Sequence, residues 1–158
     1  MEIQYLAKLK DNPSKNPNSV EHPWTIQPIT LTEITQLEAL YNNGQLFPKA
    51  LRELLYLAGN YCYVLSMGSC DTQQQMQELV RNQIDIANKE ITSPFMVIDI
   101  YNESDQFLFI YLNGSDNPTV YEAEYYETNE NWIELIADSL SGYIEILIQK
   151  VKEGRNPF

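Results

Sequence analysis

Two apolar runs constrain this chain more than anything else in it. "FMVIDIY" at residues 95–101 and "QFLFIYL" at 106–112 are rich in β-branched and aromatic side chains, and only the polar "NESD" separates them. Runs of that composition read as strands, and a short polar connection turns one back on the other as a hairpin. A hairpin this apolar needs cover, so the other segments are read for what they can lay against it.

Downstream, "NGSDNP" turns the chain again. "TVYEAEYY" then alternates Tyr121, Ala123 and Tyr125 against Glu122, Glu124 and Tyr126, as a strand with one wet face does. Tyr121 and Tyr125 are expected to point inward and Tyr126 outward. Asn129 or Asn131 is expected to cap a final helical region, whose stripe is Ile133, Ile136, Leu140, Ile144, Leu147 and Val151, with a kink or break at Ser141 and Gly142.

Upstream, Thr30 followed three residues later by Glu33 predicts a capping box. Ile34, Leu37 and Tyr41 share a face of that helix with Leu40 beside them, and "NNG" at 42–44 ends it. Pro48 opens a second helix, in which Leu51, Leu54, Leu55 and Ala58 form the inner stripe. Lys49, Arg52 and Glu53 are assigned to its outer side, and Gly59 to its stop. "YCYVLS" at 61–66 reads as a strand. Asp71 or Thr72 caps a longer helix over roughly 72–88, with Met76, Leu79, Val80, Ile84 and Ala87 inward. "MEIQYLAKL" fits an edge strand or a short helix, and the loop "KDNPSKNPNS" follows it, so residues 1–23 are taken as an N-terminal extension or edge element. The order predicts an α+β fold: a single domain over residues 1–158, with a mainly antiparallel sheet and helices packed on it. A chain of 158 residues with 44% apolar content is long enough for one core and cramped for two.

Charge narrows the partners. The formal net charge is -12, from 22 acids and 10 bases. Between residues 90 and 149 lie 12 acids and no Lys or Arg, while the bases elsewhere cancel the remaining acids. Such a field repels nucleic acid and anionic membranes and attracts basic proteins. The start of the chain has an acid at position 2 and no long apolar run, which argues against a secretory signal and for a cytoplasmic protein.

Chemistry is sparse. Cys62 and Cys70 have no histidine at zinc-ligand spacing, and in a reducing compartment they are expected to stay free thiols. His22 is the only histidine, and no nucleophile elbow, Walker loop or dinucleotide fingerprint is present. Glu122 and Glu124 have the spacing of a carboxylate pair, and Asp99, Glu103 and Asp105 flank one turn, but both sets read more simply as solvated acids. The expectation is a protein with no catalytic residues, no cofactor and no metal.

The stretch "ITQLEALYNNGQLFPKALRELLYLAGN" at 34–60 resembles the SUKH superfamily, which includes bacterial immunity proteins and fungal cell-wall synthesis regulators. Ile34, Leu37 and Glu38 match the Ile-x-x-Leu-Glu core of its first helix. Phe47 and Pro48 stand for a Leu-Pro pair, Leu51, Leu54 and Leu55 for the second helix, and Gly59 with Asn60 for an Asn-Gly in reversed order. "NPTVYEAEY" and "NENWIELIADSL" are similar to the family's later strand and helix. The resemblance implies a non-catalytic α+β domain that neutralises a toxin, often a nuclease, by stoichiometric binding; the alternative is a regulatory scaffold for cellular proteins. Taken with the charge, it nominates Asp116, Glu122, Glu124, Tyr126, Glu127 and Glu130 to meet Lys and Arg of a basic toxin domain.

Overall fold

The computed structural model describes residues 1–101, 105–127 and 132–157. Five helices and four strands follow one another as α1 (Ala7–Asp11), α2 (Leu31–Tyr41), α3 (Lys49–Ala58), α4 (Gln73–Ile86), β1 (Phe95–Tyr101), β2 (Gln106–Tyr111), β3 (Val120–Glu124), β4 (Ile133–Ala137) and α5 (Leu140–Lys152). The strands form an antiparallel meander in the order β1-β2-β3-β4. The fold is α+β, with the sheet built around the apolar hairpin.

The apolar runs are continuous because both faces of β1 and β2 are buried. Met96, Ile98, Leu108 and Ile110 pack on α1, α2, α3 and α5. Phe95, Val97, Phe107 and Phe109 pack on the other side, against Met76, Val80 and Ile84 of α4. β3 is covered less, and β4 least: Glu134, Leu135 and Ile136 are all exposed.

Local chemistry sets the helix ends. Thr30 and Glu33 close a capping box on α2: the Thr30 Oγ1 accepts the Glu33 N–H, and the Glu33 carboxylate accepts the Thr30 N–H at 2.7 Å. Thr72, rather than Asp71, does the same for α4 with Gln75. Asn43 and Gly44 take the left-handed conformation after α2, with φ of 53° and 76°. Gly59 works differently: its φ of -68° is ordinary, but a Cβ there would lie 2.5 Å from the Leu55 carbonyl oxygen and 2.8 Å from Ile29. It is glycine because two pieces of chain meet at it.

Four expectations are corrected. "YCYVLS" forms no strand; only isolated bridges flank it, Gln27 with Tyr61 and Met67 with Ile100. Its Cys62, Tyr63, Val64 and Leu65 are apolar because the connection between α3 and α4 is buried. Residues 133–137 are not the start of the last helix but the fourth strand. α5 begins at Leu140, where the Ser139 Oγ accepts the Gly142 N–H, so Ser141 and Gly142 are its first turn and not a kink. Leu40 is exposed. Glu53 does not face outward: it is 0% exposed, and its carboxylate accepts the N–H groups of Gln4, Tyr5 and Leu6 at 2.8–2.9 Å. Those are donors that the entry to a short helix leaves unsatisfied.

The same contacts make the N-terminal segment part of the core, because Leu6 and Leu9 are buried against it. Glu38 plays a matching part between α2 and α3. It is buried, accepts the Phe47 N–H at 2.9 Å and lies 3.1 Å from the Arg52 Nε, an ion pair by distance that is not aligned as a hydrogen bond.

Candidate functional site

The nominated acids do not form one patch. β3 carries Glu122 and Glu124, and Tyr126 and Glu127 follow its end. Asp116 lies before its start, in the turn from β2, where its carbonyl oxygen accepts the Ala50 N–H at the head of α3. It shares a cleft there with Lys49 and Arg52. Asp116 and Tyr126 lie beyond opposite ends of β3. Glu130 lies outside the described residues, as do Asn129, Asn131 and Glu103.

Glu122 is not on a wet face. Its side of β3 faces α5, it is half-buried, and the Tyr101 hydroxyl lies within hydrogen-bonding reach. Tyr101 is held protonated to high pH by burial first, then by that bond and by the charges of Glu122, Tyr143 and Asp99. Tyr143 of α5 is pushed up in the same way, by burial and then by Asp99 and Glu122. Glu124 accepts a longer bond, 3.3 Å, from Gln106 on β2. Tyr125 is buried, stacked on Phe107 at 5.1 Å, and Tyr126 is 65% exposed. Asp99, one of the 12 acids of the block, contributes nothing to the surface, because it is 2% exposed and accepts the Ser66 N–H at 2.7 Å.

Sequence reasoning missed β4. Glu134 is paired with Glu122 across the ladder, and Leu135 with Tyr121. Leu135 is 59% exposed on the α4 side of the sheet, beyond the reach of α4. With Asp138 at the strand's end, this region joins exposed carboxylates to exposed apolar side chains. The alternation Ile133-Glu134-Leu135 was a signal for a strand, but the leucines and isoleucines that follow extend just as well at helical spacing.

Among the described residues two ion pairs form, Arg52 with Glu38 and Arg155 with Glu153. Neither of these two pairs involves the acidic block. Lys89, just past α4, donates to the Glu127 carbonyl oxygen at 2.7 Å and sits 5.1 Å from the Trp132 ring centroid. It offsets the charge at the Tyr126 end of β3, which moves the most negative ground toward β4.

Other groups with chemical capacity are committed elsewhere. Burial pushes the Cys62 thiol up to about 12, and the Cys70 thiol is raised as well, so neither is an activated nucleophile. Among the described residues no three His, Cys, Asp or Glu side chains converge on a metal position. A cleft of ≈ 450 Å³ lies at the far side of the molecule, between His22, Trp24 and Tyr61. Trp24 is 51% exposed there, with both rings 6.2 Å away. Among the described residues no helix is long and apolar enough to cross a membrane. The chain matches no protein-family model, no curated protein and no solved structure.

Proposed function

We propose that this chain is a non-catalytic binding protein that occupies a basic surface on a protein partner, as an immunity protein covers a toxin. The contact is built from β3, β4 and the turn into α5. One observation carries the reading: twelve acids and no bases lie between residues 90 and 149, and neither the Arg52–Glu38 nor the Arg155–Glu153 ion pair draws on them. An excess of carboxylates steers cationic partners and raises association rates by about 10–10³-fold, an effect that salt suppresses. The contact is re-centred from the nominated set: Glu124 and Glu134 lead, Glu122 contributes from its half-buried position, and Asp116, which shares a cleft with Lys49 and Arg52, is left out of it.

The test is capture of the partner from the native host, followed by calorimetry with the purified pair at low and high salt. The expected result is a partner with a basic surface, and binding that weakens about 10- to 100-fold when Glu134 and Asp138 are both changed to Lys. Binding that ignores both salt and charge reversal sinks the reading. A captured toxin domain whose activity is blocked at one-to-one stoichiometry supports the immunity role; a host regulatory protein favours the scaffold.

A further inference from the structure

The two outer edges of the sheet are treated in opposite ways. The edge of β1 is closed. The Gln77 side chain meets the Val97 backbone as another strand would: its Nε2 donates to the Val97 carbonyl oxygen at 2.8 Å, and its Oε1 accepts the Val97 N–H at 2.9 Å. The Arg81 Nη2 donates to the Phe95 carbonyl oxygen at 2.9 Å, and the Ile100 N–H reaches the Ser66 carbonyl oxygen at 2.9 Å. Gln77, Arg81 and Ser66 together leave no unpaired ladder for a second chain to read.

The edge of β4 has no such cover. The Glu124 N–H donates to the Trp132 carbonyl oxygen, which makes that pair a hydrogen-bonded one in the antiparallel ladder. The register makes Glu122 with Glu134 the next. The backbone groups of Ile133 and Leu135 therefore point away from β3, and among the described residues nothing bonds to them. The ladder shifts register opposite Val120, beyond Leu135, so residues 133–135 are the regular stretch of this edge. Proteins that must keep an edge from pairing shorten it, bulge it, or place charges, above all Lys, or Pro on it; β4 is five residues long, carries Glu134 and shifts register beyond Leu135, but has no Lys or Pro. Those devices lie on its α5 side and its far end, while Leu135 stands exposed beside the open backbone of residues 133–135.

We infer that β4 takes up an extended, basic segment of the partner as a fifth strand, through the outward backbone groups of Ile133 and Leu135. The inference rests on the proposed binding role and specifies its geometry. Charge selects the occupant. A second copy of this chain would bring two acidic blocks of the same sign together, whereas a cationic strand meets them with opposite charge. Alternation fixes the order of side chains in the added strand. Residues opposite Ile133 and Leu135 exchange hydrogen bonds and lay their side chains on the α4 side, beside Leu135 and Tyr121, where apolar groups fit. The residue opposite Glu134 faces the α5 side, where Lys or Arg fits. The recognised segment is thus a short run alternating cationic and apolar residues.

The probe is a synthetic peptide of about nine residues alternating Lys and Val, compared with the same peptide N-methylated along one edge so that it cannot donate there. Nuclear magnetic resonance of the full chain reads the site. The expected result is that the Ile133 and Leu135 amides shift and slow in hydrogen exchange while the Glu134 amide, already bonded to β3, stays protected. N-methylation, or Glu134→Lys, weakens binding about tenfold or more. Leu135→Pro removes one outward donor at an edge position that tolerates proline, and a thermal melt checks that the variant is folded. The inference is overturned by equal binding of both peptides, by shifts that map elsewhere, by no binding of the unmethylated peptide, or by self-association of the chain through β4. A natural partner whose affinity falls with Glu134→Lys but not with folded Leu135→Pro overturns strand addition and leaves the acidic contact standing. One indifferent to Glu134→Lys strikes the acidic contact itself.

Discussion

Changing Asp99 to Asn should make the fold more stable above neutral pH and flatten its response to pH. The carboxyl sits in β1 at 2% exposure, near Cys62, Tyr101 and Tyr143, whose own titrations feel its charge. Burial pushes its pKa from 3.8 up to about 7, against the pull of the Ser66 and Ile100 N–H groups. An acid whose folded pKa lies above its unfolded one binds its proton more tightly in the native state. Its contribution is complete below the unfolded value and is lost as pH rises through the folded value. With an unfolded value near 3.9, the loss reaches about 4 kcal/mol above pH 7, and most of it falls between about pH 5 and pH 8. Asn keeps an oxygen for the Ser66 N–H and has no proton to release. Urea unfolding followed by circular dichroism across that range should therefore show wild-type stability falling by about 3 kcal/mol relative to Asp99→Asn, with the variant the more stable at the alkaline end. Parallel pH profiles, or a variant that is less stable at about pH 8, would refute the reasoning.

Other perturbations follow from buried polar groups. Glu53→Ala strands three N–H groups at the entry to α1 and should cost about 3–5 kcal/mol, seen as a lower urea midpoint and early exchange of the Tyr5 and Leu6 amides. A loss under 1 kcal/mol would show that water replaces the carboxylate. Gln77→Met keeps the side chain's length but orphans the Val97 N–H and carbonyl. About 2–5 kcal/mol is expected, a fall in Tm of roughly 10 °C, whereas an unchanged melt would mean that the β1 edge is not sealed as described. In the native state a thiol reagent should modify Cys70 slowly and Cys62 only after unfolding; rapid labelling of both would contradict the burial of the 61–66 connection.

What could be read from the sequence divides along a physical line. Signals that act over a turn of helix or between adjacent strands were plain: the Thr30–Glu33 box, the Asn43–Gly44 stop and the hairpin of β1 and β2. Signals that depend on distant partners were not. Glu53 looks like any surface acid on α3 until the N-terminal backbone, 47 to 49 positions away, is laid over it. "YCYVLS" has the composition of a strand, but the strand beside which it would have paired has its edge filled by Gln77 and Arg81. Residues 133–137 fit both periods, and what makes them a strand is the free side of β3. The candidate site suffered most from this last ambiguity, because the exposed acids and the open backbone both sit on β4. The excess of acid was legible in the chain, whereas its placement depended on the register of β3 with β4.

The carboxylate that pins the amino-terminal segment also sets an order of assembly. Residues 4–6 leave the ribosome before their anchor, which is made about 50 positions later, and at ~5–20 residues per second the gap is roughly 2–10 s. During that interval this segment is an unsecured thread, open to chaperones and proteases, and α1 docks only when α3 has emerged to receive it.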